Sequence, residues 1–183
     1  MRERSTTHGP MVSGRKNPLF FGLALRLKQA RGQAGLKRLP LAQKAGLAMA
    51  TGRDVELGVR VPTVTTVLRL ASALQVSPAW LAYGVGAADD PQPMQNAATM
   101  GERLATLRSA HGLSRAALAR ACDLSARAIA KIEAGGQSGV DVIESLAKAL
   151  GVSPAWLAYA AEPKILPQIR RGRPPAQPPA DAR

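Results

Sequence analysis

The chain holds two histidines, His8 and His111, and one cysteine, Cys122. Their separations give no metal-ligand spacing, and no carboxylate cluster accompanies them. No glycine-rich loop precedes a Lys-Ser or Lys-Thr pair, and the Gly-x-Gly-like fragments follow no strand pattern. No nucleophile, general base or cofactor cradle assembles, so no catalytic residue, no metal site and no cofactor is expected, and the chain is not expected to be an enzyme. The chemistry it has in surplus is cationic hydrogen-bond donation: 25 Lys and Arg stand against 12 Asp and Glu, for a net charge of +13. Such a surplus attracts polyanions. It is uneven, with +7 over residues 21–86 and +2 over 100–161. The lone Cys122 excludes an intrachain disulfide and reads as a core residue, which suits a cytoplasmic protein. No run is long and apolar enough to read as a membrane span or a signal peptide, so no membrane partner is expected.

The elements that must position these cations occur twice. Val76-Ser77-Pro78-Ala79-Trp80-Leu81-Ala82-Tyr83 returns unchanged as Val152-Ser153-Pro154-Ala155-Trp156-Leu157-Ala158-Tyr159. Such a repeat means one structural unit built twice. Leu70 and Leu74 match Leu146 and Leu150; upstream of a one-residue deletion near Gly136, Val55-Glu56, Leu41-Ala42 and Leu27 match Ile132-Glu133, Leu118-Ala119 and Leu104. The units span 18–84 and 99–160, each near the lower size limit for a single core. Before them lies a flexible basic arm, 1–17; between them a linker, 85–98; after them a Pro/Arg-rich tail, 161–183, expected to be disordered. The linker could reach at most ~50 Å when extended. It could act as a passive tether, hold the units one duplex turn apart, or join units that pack together.

Each unit reads as five short helices. Asn17-Pro18 caps the first, whose face carries Leu19, Leu23, Leu27 and Ala30. In the second unit Thr99 and Glu102 form a capping box. Ser114 starts a piece with Ala117, Leu118 and Cys122, and Asp123-Leu124 turns. Ser125 starts a piece with Ile129 and Ile132, which Gly135-Gly136 ends. Val142, Ile143, Leu146 and Leu150 form a fourth face, and Ser153-Pro154 opens a fifth piece that buries Trp156 and Leu157.

Leu113-Ser114, Leu118-Ala119, Leu124-Ser125, Ile129, Ile132-Glu133 and Gly135 meet the pattern L-S-x-x-x-L-A-x-x-x-x-(V/L)-S-x-x-x-I-x-x-I-E-x-G. This resembles the helix-turn-helix of the lambda-repressor-like family, also called Cro-type or XRE, and the resemblance covers all of the second unit. It implies an all-α fold of two tandem five-helix DNA-binding domains. It implies double-stranded DNA as partner and a transcriptional regulator, most simply a bacterial or prophage repressor, reading the major groove with helix 125–133. Base contacts would fall at Ala126, Arg127 and Lys131, beside Ser125 and Ala128. Arg127 would bond guanine through two donors, Lys131 would reach a guanine or a phosphate, and Ala126 would touch a thymine methyl. Arg115 would face the phosphates. The family also carries a buried pair at positions matching Arg31 with Glu56 and Arg108 with Glu133, both 25 residues apart.

The first unit departs from the pattern. Gly52 takes the core place of Ile129, Asp54 that of Lys131, and Met49 and Ala50 those of Ala126 and Arg127. Its surplus cations, Lys37, Arg38, Lys44, Arg53 and Arg60, suit phosphates without sequence preference. Alternatively this unit dimerises the chain or holds a protein partner, as in an antitoxin or an interaction module that no longer reads DNA. In the tail, Arg171-Gly172-Arg173 resembles an AT-hook core, which would enter a narrow minor groove.

Overall fold

The computed structural model describes residues 19–90 and 99–165. The Asn17-Pro18 cap, the basic arm and the Arg171-Gly172-Arg173 segment lie outside the described residues. A 3-10 turn, Leu19–Gly22, leads into α1 (Leu23–Gln33), α2 (Arg38–Lys44), α3 (Met49–Glu56), α4 (Val64–Leu74) and α5 (Pro78–Tyr83). The second unit repeats the order with α6 (Met100–Ala110), α7 (Arg115–Ala121), α8 (Ala126–Glu133), α9 (Val140–Ala149) and α10 (Pro154–Tyr159). Among the described residues there is no strand, only one antiparallel bridge between Thr63 and Gly139.

Side chains set most starts in the second unit. Thr99 accepts from the Glu102 N–H while Glu102 returns a carboxylate to the Thr99 N–H at 2.6 Å. Ser114, Ser125 and Ser153 each accept from the N–H three residues on. These bonds satisfy donors that a helix start leaves free. The first unit is weaker here: α1, α2 and α3 begin without a side-chain cap. Pro40 fits inside the first turn of α2, where no intrahelical donor is needed.

The cores are aliphatic and equivalent at most positions. Leu27, Leu41, Val55, Leu70 and Leu81 are buried in one unit as Leu104, Leu118, Ile132, Leu146 and Leu157 are in the other. Gly52 replaces the fully buried Ile129, and a Cβ built on it would meet only Ala42 at 3.7 Å. Three expected faces shift. Leu19 is exposed because it sits in the 3-10 turn, out of phase with Leu23 and Leu27. On α9 Val140 is buried and Val142 is only partly so. Trp156 is half-buried, its ring lying under the Lys164 ammonium at 4.7 Å, while Ala155 and Leu157 take the interior places.

The chain stays packed beyond the edges at 84 and 160. The buried Ser77 and Ser153 have backbone donors that need acceptors. Ser77 N–H donates to Ala88 C=O at 2.7 Å and Ser153 N–H to Lys164 C=O at 2.6 Å. Val85 and Ala161 are buried by this return. The first residues of the expected linker and tail thus belong to the packed units.

The two units pack directly on each other. The contact joins like to like: Thr63 bridges Gly139, its own repeat equivalent. Around that bridge Val64 N–H donates to Ser138 C=O at 3.0 Å, and Val140 N–H donates to Pro62 C=O at 3.1 Å. Helices α5 and α10, the identical segments, pack together, with the Tyr83 and Tyr159 rings 6.3 Å apart. An interface in which residue i meets j while j meets i has a two-fold axis. The single chain is therefore a pseudo-dimer of its own halves. Two features break the symmetry. Glu144 accepts from the backbone N–H groups of Leu19 and Phe20, whereas Leu68 holds the equivalent place in the first unit. The Tyr83 hydroxyl donates to Val140 C=O at 3.0 Å, whereas the buried Tyr159 hydroxyl has no partner among the described residues.

That difference separates two otherwise equivalent substitutions. Tyr83→Phe removes a made hydrogen bond and is expected to destabilise the chain by about 1 kcal/mol. Tyr159→Phe removes an unpaired buried hydroxyl and is expected to be neutral or stabilising. Urea unfolding of both variants beside the wild type measures the contrast.

Candidate nucleic-acid interface

Helices α7 and α8 form the helix-turn-helix. Asp123 adopts φ 56°, a left-handed turn that Asp tolerates, between the end of α7 and the Ser125 cap of α8. Leu118 and Ala119 on α7 and Ile129 and Ile132 on α8 are all buried. With the apolar side of α8 committed inward, Ala126, Arg127 and Lys131 stand exposed on the other side, and Ala128 is partly exposed. Arg127 and Lys131 have no hydrogen-bond or ion-pair partner among the described residues.

The far end of α8 is held by charge. Arg108 on α6 donates from Nε to Glu133 at 2.6 Å and from Nη1 to Leu113 C=O at 2.8 Å. Arg115 on α7 donates from Nε to the other Glu133 oxygen at 2.6 Å. One carboxylate thereby ties α6, α7 and α8. Arg115 is thus not simply a phosphate-facing residue: its guanidinium is already engaged with Glu133, though half of the side chain remains exposed. Burial pushes the Glu133 carboxyl up, but hydrogen bonds from Arg108 and Arg115, and their charges, more than offset this and hold it below the usual range. The first unit repeats the clasp. Arg31 donates to both Glu56 oxygens at 2.7 and 2.8 Å, and Arg38 joins at 3.2 Å. There the hydrogen bond from Arg31 is the main cause of a lowered Glu56 carboxyl.

Several supporting residues escaped the sequence. Gly101 lets α6 approach the end of α8 so closely that a Cβ would lie 2.6 Å from Ile132 C=O. Arg26 and Arg103 each reach the last carbonyls of the repeated helix, Arg26 those of Leu81 and Ala82 and Arg103 those of Leu157 and Ala158. Their matching places in the repeat were the available signal. Cys122 is buried, its thiol pushed up by burial and directed at Ser145 C=O at 3.7 Å.

On α3 the expected reading positions differ in kind. Met49 is exposed, Ala50 offers no donor, and Asp54 is bound by its neighbour Arg53 at 3.0 Å. Large exposed apolar side chains also gather in this unit: Phe21, Leu25, Leu57, Val59 and Val61 beside Leu39 and Met49. Phe21, Val61, Pro62 and Arg60 line an apolar cavity of about 230 Å³. Among the described residues no helix is long and apolar enough to cross a membrane.

The clasp makes stability depend on pH in a defined sense. A carboxyl lowered by folding adds stability above its unfolded value and loses it as pH falls through the folded one. Acid destabilisation below the ordinary carboxylate range is therefore expected to be shallower in Glu133→Gln than in the wild type. Arg108→Ala, which leaves the buried Glu133 carboxylate with only the half-exposed Arg115, is expected to cost roughly 3 kcal/mol at neutral pH. Thermal melts across pH check both.

Residues 99–159 match a family model described as a helix-turn-helix domain, and residues 27–81 match one described as helix-turn-helix. No solved structure matches the chain. Two matches in tandem, one over the second unit and one over most of the first, each including the Arg–Glu clasp, agree with the geometry: the chain is an XRE-like, lambda-repressor-like helix-turn-helix protein with two tandem copies of the domain.

Proposed function

We propose that this DNA-binding regulator is sequence-specific, that α8 is its reading helix, and that it acts as a bacterial or prophage repressor in the cytoplasm. One observation carries the reading. Of the long cationic side chains on α6 to α8, Arg108 and Arg115 are committed to Glu133 and Arg103 to the last carbonyls of α10, while Arg120 at the end of α7 and Arg127 and Lys131 on α8 are exposed and without a partner among the described residues; only the last two share the outward face of α8. Donors kept free at helical spacing on an outward face suit base edges in a major groove, which admits a single helix.

In that groove Arg127 would donate two hydrogen bonds to guanine O6 and N7, and Lys131 would reach a neighbouring guanine or phosphate. Ala126 and Ala128 carry only methyl groups, so the backbone can approach closely, and Ala126 would pack on a thymine methyl. Ser125 and the exposed part of Arg115 would fix the register through phosphates. The clasp at Glu133 holds α8 at a set angle, so these contacts are made without ordering the helix at the moment of binding. Occupying a promoter in this way would exclude polymerase, which is repression.

The test is selection of binding sites from a random duplex pool at near-physiological salt. The wild type is expected to enrich one motif. Each base pair read by a lost donor is worth about 1–3 kcal/mol, so Arg127→Ala with Lys131→Ala is expected to erase the motif while retaining weak, salt-sensitive binding. Enrichment of the same motif by that double variant, or none by the wild type, would contradict the assignment of α8.

A further inference from the structure

The two-fold arrangement and the exchange of cations between the units have a joint consequence, which rests on the reading of α8 above. We propose that the first unit is a sequence-independent phosphate clamp for the half-site next to the one that α8 reads. One chain would then cover a two-half operator with base preference in one half only.

The placement follows from the axis. A two-fold rotation keeps every point at its height along the axis, so α3 and α8 lie level on opposite sides of it. Each is tied closely to the bridge: Glu56 ends α3 shortly before Thr63, and Glu133 ends α8 shortly before Gly139. The path from Glu56 through the bridge to Glu133 spans at most about 50 Å if fully extended. One turn of duplex, about 34–36 Å, fits within that span. Two turns do not, even with half the length of each helix added. A duplex crossing the axis at α8 therefore meets the first unit in the adjoining half-site or not at all.

The chemistry at the level of α3 has been redistributed. At the reading positions the cations are gone: Ala50 stands for Arg127 and Asp54 for Lys131. At the flanks they are added or shifted: Lys37 stands for Ser114 and Arg53 for Ala130, while Lys44, in the place of Ala121, takes over from Arg120, whose own place holds Gln43. Lys37, Lys44 and Arg53 are all exposed, at the start of α2, the end of α2 and along α3. Arg53 also neutralises Asp54, the one group there that phosphates would repel. Meanwhile the structural clasp of Arg31, Arg38 and Glu56 is kept, so α3 is held like α8. A unit that had dropped its contact with DNA would have no reason to exchange reading cations for flanking ones. One that read bases as α8 does would have kept a donor at position 50 or 54, and Asp54, which could otherwise accept from a cytosine amino group, is held by Arg53.

The experiment uses the full chain on the duplex enriched by selection. Hydroxyl-radical footprinting is expected to show backbone protection over the motif and over one further turn, always on the same side. Lys37→Ala with Lys44→Ala is expected to remove only the far-side protection and to lessen the slope of log K against log salt by about 2, with the motif unchanged. A motif with two specified halves would overturn the proposal, because the first unit would then be reading. Protection confined to the motif half, or a salt slope unaltered by the double variant, would also overturn it. The wild-type footprint decides the matter even if the variant folds poorly. Absence of any enriched motif would instead remove the reading of α8, and this inference with it.

Discussion

Two arginines from different helices meet one carboxylate at the end of α8, and the rest of the domain is arranged around that meeting. Arg108 comes from α6 and Arg115 from α7, each within 2.6 Å of a Glu133 oxygen. A buried ion pair adds little net stability against an apolar substitute, because desolvation takes back most of the attraction. What it adds here is direction. The apolar contacts of Ile129 and Ile132 would tolerate some rotation of α8, whereas a carboxylate shared by two guanidinium groups tolerates little. Gly101 lets α6 close over the same helix end. The clasp therefore fixes which way Arg127 and Lys131 point.

The second constraint is the pseudo-two-fold axis. A segment that packs against its own copy must satisfy the same neighbours twice, so a change on one side is felt on both. This gives a physical reason for the identical segments Val76–Tyr83 and Val152–Tyr159, which lie at that contact, while the α3 and α8 surfaces have diverged. Symmetry has relaxed away from the axis, at Glu144 against Leu68 and in the unpaired Tyr159 hydroxyl. A pseudo-dimer in one chain permits such asymmetry; a homodimer would have to carry each change in both halves.

Much of the fold was legible in the sequence because its signals are local. Serine caps, the Thr99–Glu102 box, the Asp123 turn and the apolar spacing of α7 and α8 depend on neighbours within a turn or two. The equal spacing of Arg31 with Glu56 and Arg108 with Glu133 was readable directly, but that they pair was legible only through family resemblance, and the added arm of Arg115 was missed because an arginine at a helix start reads equally well as a phosphate contact. The packing of the units left no local signal: a repeat says that a unit recurs, not that the copies touch. Trp156 was placed too deep because large apolar size was taken for burial, whereas the interior of α10 admits Ala155 and Leu157 and leaves the ring beneath Lys164. At the candidate interface the residue types were readable, but their freedom was not. Only the geometry distinguishes the exposed, unpaired Arg127 from the engaged Arg115.

The central claim is that α8 carries the reading surface. Amide chemical-shift changes across the labelled full chain, on adding the selected duplex, address it directly. The account predicts that the largest changes fall on Ser125 to Lys131, with smaller ones at Lys37, Lys44 and Arg53. Maximal changes at Met49 to Asp54 with α8 undisturbed would contradict it.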